Sequence, residues 1–231
     1  MANNAKNIIV GAGTVYLGKD SDKEYTETQI SDTFAANTAG TYQDPANVKS
    51  TNWTHVGFTS EGVTLDFTPD YGEVNVDQLL DVAKIYKQGQ KVMAKTTLTE
   101  ATLENFLIVL GGKSTDLRDV SNAASSEGTL RNLEINGGAL GYAPVERSIL
   151  IVGPGPDTKT VASTNNGGTG SERIYLGYRA LSMESVSVGI KRNEATVFPV
   201  TFRLLASNSV TATANSANAL YGKVIDRSYT V

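Results

Sequence analysis

The residues of this 231-residue chain that could do chemistry are few, and their spacing works against them. Gly112-Lys113-Ser114 matches the end of a phosphate-binding loop, where backbone amides at a helix N-terminus and a lysine cradle phosphate oxygens. The match stops there. The first glycine of such a loop belongs five residues earlier, where Leu107 stands, and these glycines close a helical pattern instead of opening one. Gly11-Ala12-Gly13 begins a dinucleotide fingerprint, but Tyr16 fills its third glycine position and strand-like alternation follows where a helix is required. His55 is the one histidine, and no Gly-x-Ser-x-Gly elbow exists to partner it in a nucleophilic triad. Glu24 with Glu27, and Asp66 with Asp70, are paired carboxylates in a polar loop and a strand-turn region, without an apolar pocket to shift a pKa. The absence of cysteine removes disulfides, thiolate zinc sites and cysteine nucleophiles together. The sequence therefore predicts no enzyme: no catalytic, cofactor-binding or metal-binding residue, and no cofactor.

Composition points to an architecture instead. Hydrophobic residues make up 40% and charged residues 19%, with Gly, Ser, Thr and Asn filling the gap. Thr and Val suit a pleated surface, while Gly and Asn supply positive φ at tight bends, so strands and turns are favoured over surface helices. A net charge of -4 argues against tight nucleic-acid binding, which needs cations to neutralise phosphates. The start of the chain is polar, and Ile8-Ile9-Val10 is too short for a signal peptide or membrane span, so synthesis and assembly in a cytoplasm are expected.

Along the chain, residues 1–12 read as an extended arm and 13–18 as a first strand. Residues 19–51 lose periodicity and read as a long polar loop. Trp53 and Tyr42 are each candidates for an interface anchor or for the core. Residues 60–68 alternate, with Val63, Leu65 and Phe67 on one side and Gly62, Thr64 and Asp66 on the other. Pro69-Asp70-Tyr71-Gly72 reads as a turn, and 91–98 as a further strand. Leu103, Phe106, Leu107 and Leu110 recur at helical spacing and predict one apolar helix face, capped by Thr97 or Thr99 and stopped by Gly111-Gly112. Further strands are expected at 131–135, 148–152, 173–178, 181–192, 198–206 and 220–224, with a Gly/Pro/Asn-rich loop over 153–172. The expected fold is mainly β: a sandwich or barrel with one flanking α-helix and long loops, as a single domain over residues 1–231.

Several pieces in order carry something more specific: Val56-Gly-Phe-Thr-Ser-Glu-Gly-Val-Thr-Leu65, Val76-Asp-Gln78, Gly89 before Lys91-Val92, Leu98-Thr-Glu-Ala-Thr-Leu-Glu-Asn-Phe-Leu107 closing on Gly111-Gly112, and Phe198-Pro-Val-Thr-Phe-Arg203. Together they resemble the major tail protein, or tail tube protein, of long-tailed bacteriophages. The resemblance implies a β-sandwich subunit of the virion, assembled in the host cytoplasm into hexameric rings that stack into a conduit for DNA. It implies partners in further copies of itself, a tail terminator and a baseplate or tail tip, with a sheath as a further candidate, and no membrane. The 19–51 loop is then expected to reach between rings. If the 60–68 and 181–192 strands form the inner sheet, Gly62, Thr64, Asp66, Ser185 and Ser187 face the lumen, where DNA slides without tight binding and Asp66 repels phosphate. The alternatives are the inner tube of a phage-derived injection particle and a monomeric carbohydrate-binding or adhesin-like sandwich.

Overall fold

The computed structural model describes residues 9, 11–19, 23–25, 52–79, 81–120, 130–135, 144–156, 169–184, 187–207, 209, 211–212 and 215–230. The described chain is mainly β with one short helix, as the sequence predicts. The strands are β1 (Thr14–Gly18), β2 (Trp53–His55), β3 (Thr59–Val74), β4 (Lys84–Leu98), β5 (Leu117–Val120), β6 (Leu130–Leu133), β7 (Arg147–Pro154), β8 (Thr169–Ser182), β9 (Phe198–Leu205), β10 (Thr211–Ala212), β11 (Asn215–Ala219) and β12 (Gly222–Thr230). The helix is α1 (Leu103–Val109).

Eight strands make one antiparallel sheet in the order β2-β1-β7-β8-β9-β4-β3, with β12 attached to β8. Strand β8 is the corner of this sheet: residues 169–177 pair with β12, and Arg179–Ser182 pair with β9. Val15, Leu17, Ile149 and Ile151 from one limb meet Val92, Ala94, Val200 and Phe202 from the other in a single cluster, so the sheet curls over its own apolar face. A second cluster of Tyr16, Tyr25, Trp53, Leu150, Ile174 and Tyr178 covers the opposite face of β1, β7 and β8. Trp53 is therefore a core residue, while Tyr42 lies outside the described residues.

Helix α1 starts one turn later than predicted, with the Thr102 hydroxyl accepting from the Asn105 N–H at 3.2 Å, and neither Thr97 nor Thr99 caps it. Its stop is as predicted: Gly111 takes φ +67°, its N–H donates to the Ile108 carbonyl, and the Gly112 N–H donates to the Leu107 carbonyl. That double closure is a complete Schellman motif, which accounts for the two glycines without any phosphate, while the Lys113 N–H turns to the Asp116 carboxylate. The buried face differs from the predicted stripe. Leu107, Ile108, Val109 and the polar Asn105 are buried, and Phe106 stacks on Phe198, but Leu103 and Leu110 are 36% and 45% exposed. Asn105 is buried because its amide donates to the carbonyls of Val56 and Glu100, a non-local demand that periodicity does not report.

Three other expectations are overturned. Pro69 to Gly72 is not a turn: β3 runs through it as a 16-residue strand, and the chain reverses between Val74 and Lys84. Proline survives there because β3 is an edge strand, where no ladder donor is missed. The strand expected over 181–192 ends at Ser182: the Met183 N–H still donates to the Thr201 carbonyl, but the described residues from 187 to 192 belong to no strand as the chain crosses to Phe198. In the 153–172 segment, Gly153 and Pro154 finish β7, Thr169 to Glu172 open β8, and 157–168 lie outside the described residues.

The described residues 23–25 of the 19–51 segment are anchored to the core. The Tyr25 N–H donates to the Ser148 hydroxyl oxygen at 2.9 Å, and the Tyr25 ring lies 5.2 Å from that of Trp53. Glu24 accepts from the Ser207 hydroxyl at 2.5 Å. Residues 26–51 lie outside the described residues.

Candidate assembly surface

No cluster of three or more His, Asp or Glu that could hold a metal forms among the described residues, and no described helix is long and apolar enough to cross a membrane. The surfaces that stand out are a polar sheet face, a protruding ribbon and an apolar groove.

The polar face follows from alternation. In β3, β4 and β9 the residues Leu65, Ala94, Phe202, Val92 and Leu204 point into the core, which turns their neighbours outward. Register places Thr64 opposite Lys95, Asp66 opposite Met93 and Thr68 opposite Lys91, with Thr201 and Arg203 beyond on β9. Thr64 and Asp66 thus share one face, as alternation predicts. Gly62 does not continue it: Glu61 and Gly62 both take positive φ in a bulge between Ser60 and Val63, and the Gly62 carbonyl accepts from the Thr96 hydroxyl. Ser187 is exposed in the irregular segment after β8, and Ser185 lies outside the described residues. Nor is Asp66 a lone carboxylate. It forms a 3.0 Å ion pair with Lys95, and Asp66, with Glu184 more weakly, holds the Lys95 amine above the ordinary lysine range. Glu184 also accepts from the Thr201 hydroxyl at 2.6 Å. The face is mixed in charge, not acidic.

The ribbon is the distal part of the β3–β4 hairpin. Strand β9 covers β4 only from Val92 to Leu98, so Thr68 to Val74 and Lys84 to Lys91 pair with each other alone. Seven residues of strand carry it about 20 Å past the sheet. Phe67, Tyr71, Ile85 and Tyr86 are all exposed along it. Sequence reasoning missed this feature because the proline and glycine read locally as a turn. The signal that could have found it is the β-prone run on both sides of the true reversal, Tyr71 to Val74 and Ile85 to Tyr86.

At the base of the ribbon lies a groove of about 260 Å³, walled by Leu65, Val92, Tyr175, Tyr221 and Val224. The Tyr221 hydroxyl donates to the Gln90 carbonyl at 2.9 Å and fixes one wall against β4.

Residues 1–218 match the family model described as phage tail tube protein. The chain belongs to the phage tail tube protein family. No curated protein matches it. Membership makes it a structural subunit of a virion tail, in a family that is structural and not enzymatic. A tail tube protein needs surfaces that meet its own copies, and among the described residues the edge of β3, the ribbon and the groove are the candidates.

Proposed function

We propose that the chain assembles as hexameric rings, stacked into a tube whose channel carries DNA during ejection, with the outward face of β3, β4 and β9 lining that channel. The observation that carries the channel assignment is the division of this sheet, apolar on one side and mainly polar on the other with Met93 its apolar exception, next to an edge of β3 that no described strand pairs. Edge pairing between neighbouring copies would continue the sheet around a ring and satisfy the open backbone groups. Thr64, Asp66 and Thr68 would then face the lumen, with Thr201 buried beside them and bonded to Glu184. Lys95, held by Asp66 and Glu184, offers a passing phosphate less than a free amine would, which favours sliding over capture. The 19–51 loop acts between rings, residues 1–12 form an arm, and the ends of the tube meet a terminator and a baseplate or tip.

Concentrated protein examined by negative-stain microscopy should give hollow rings or tubes about ten nanometres wide, two domain diameters plus a lumen. A strictly monomeric species at high concentration counts against the reading. The channel assignment has its own test: Asp66→Lys places a second cation beside Lys95, so tubes should form while ejection slows, most at low salt. Ejection that is unchanged at low ionic strength removes Asp66 from the channel wall.

A further inference from the structure

The ribbon and the groove are a protrusion and a recess on one chain, and they carry the same apolar stripe. The core-facing side of β3 does not end where the core ends. After Leu65 it continues through Phe67, Pro69 and Tyr71, and Glu73 brings Ile85 opposite it on the same side. Phe67, Tyr71 and Ile85 are 57%, 57% and 60% exposed. A two-stranded ribbon is marginal in water by itself, and an exposed apolar stripe on a protruding element marks a surface that a partner covers.

The chain's own ribbon does not fill the groove. Leu65 and Phe67 belong to the groove wall, and β3 continues past them without reversing until after Val74. Among the described residues no other segment of the chain enters the groove, and in a tail tube the molecule at hand to fill it is a second copy. Toward the tip of the ribbon Glu73, level with Ile85, is opposite in sign to Lys223 on the groove rim, while Lys87 lies nearer the base, level with Tyr71. From this geometry we infer that the ribbon of one subunit, with Tyr71 and Ile85 foremost, seats in the groove formed by Leu65, Val92, Tyr175, Tyr221 and Val224 of the next. A recess and a protrusion at different places make a heterologous contact, which passes from copy to copy and closes into a ring or continues as a filament according to the rotation between them. The inference rests on the tail tube reading and specifies how its copies meet.

The test uses two full-length variants, Ile85→Asp in the ribbon and Val224→Asp in the groove, both at exposed positions. Each alone should keep the wild-type circular dichroism and melting curve, yet raise the concentration needed for tubes by about tenfold or more, the effect of about 1.4 kcal/mol lost from the contact. Mixed together they should form a one-to-one complex in sedimentation, because one supplies an intact groove and the other an intact ribbon. If Ile85→Asp fails to fold, Tyr71→Lys takes its place on the same stripe. Normal tubes from either variant, or no complex in the mixture, overturns the ribbon-in-groove contact while wild-type tubes leave the tail tube reading standing. Wild-type protein that makes no tubes removes both.

Discussion

In β7 the six residues Arg147 to Val152 are all buried, whereas in the ribbon Thr68 to Val74 and Lys84 to Gln88 are exposed at every position except Gly72. Both regions are antiparallel strands with bulky β-prone side chains. The difference lies in their neighbours. Strand β7 has β1 on one side, β8 on the other and an apolar cluster on each face, while each ribbon strand has only its hairpin partner. Apolar content alone therefore does not decide burial, and the ribbon's surplus over what the monomer can cover is the part available to assembly.

The largest expected effect comes from charging the buried region. Leu150→Asp places a carboxylate between β1 and β8 at a fully buried position, and even truncation of a buried leucine costs about 2–5 kcal/mol. Against a total stability of roughly 5–15 kcal/mol, no folded protein should be recovered. Tyr71→Asp in the ribbon should shift monomer stability by no more than about 0.5 kcal/mol, as an exposed change does. Denaturant melts that rank these two substitutions alike would break the comparison.

The same contrast holds within α1. Leu107→Asp should cost about 3 kcal/mol or more, while Leu103→Asp should cost under about 1 kcal/mol, because it is partly solvated and adds a negative charge to the first helical turn. The periodicity of the sequence assigned these two leucines equal weight, so their separation in a chemical melt sharpens the point.

Smaller still is Gly111→Ala. A Cβ there meets open space, so the loss should be only the backbone strain of φ +67°, about 1 kcal/mol, read as a lowered denaturant midpoint with unchanged slope. A loss of several kcal/mol would mean that the helix end packs against more than it shows.

The smallest effect is a pH dependence in the pair joining β8 to β12. Arg173 donates to both Asp226 oxygens, at 2.6 and 2.8 Å, and holds that carboxyl below the ordinary carboxylate range. A carboxyl depressed in the folded state contributes stability that is present above its unfolded value, about 3.9, and is lost as pH falls through the lower folded value. Asp226→Asn should therefore flatten the acid limb of a stability profile below about pH 4 and change little at neutral pH, since the pair is largely exposed. An unchanged acid limb would show that the pair contributes nothing to folding.

Legibility in the sequence followed locality. The first strand, the 198–205 strand and the glycine stop of α1 were readable because each is written in adjacent residues: alternation between glycines, alternation of Phe198, Val200, Phe202 and Leu204, and a Gly-Gly pair after an apolar run. What failed depended on distant partners. Among the described residues β3 has no neighbour on its outer side, which is why Pro69 is harmless, and Val188 with Ile190 alternate without any strand to pair with. Asn105 is buried by carbonyls 49 and 5 residues away. Within the candidate surface, the shared face of Thr64 and Asp66 could be read from period two, but the Lys95 partner of Asp66 needed the hairpin register. The groove unites β3, β4, β8 and β12, and no sequence window contains it.

The anchoring of Tyr25 against Trp53 also sets how freely the chain between them can change in length. With the two rings 5.2 Å apart, the entrance and exit of residues 26–51 are tied together by the core itself. Closing a loop between fixed ends costs only about 0.6 kcal/mol for each doubling of its length. The tie between Tyr25 and Trp53 therefore holds residues 23–25 and β2 to the core whatever the length of chain that separates them.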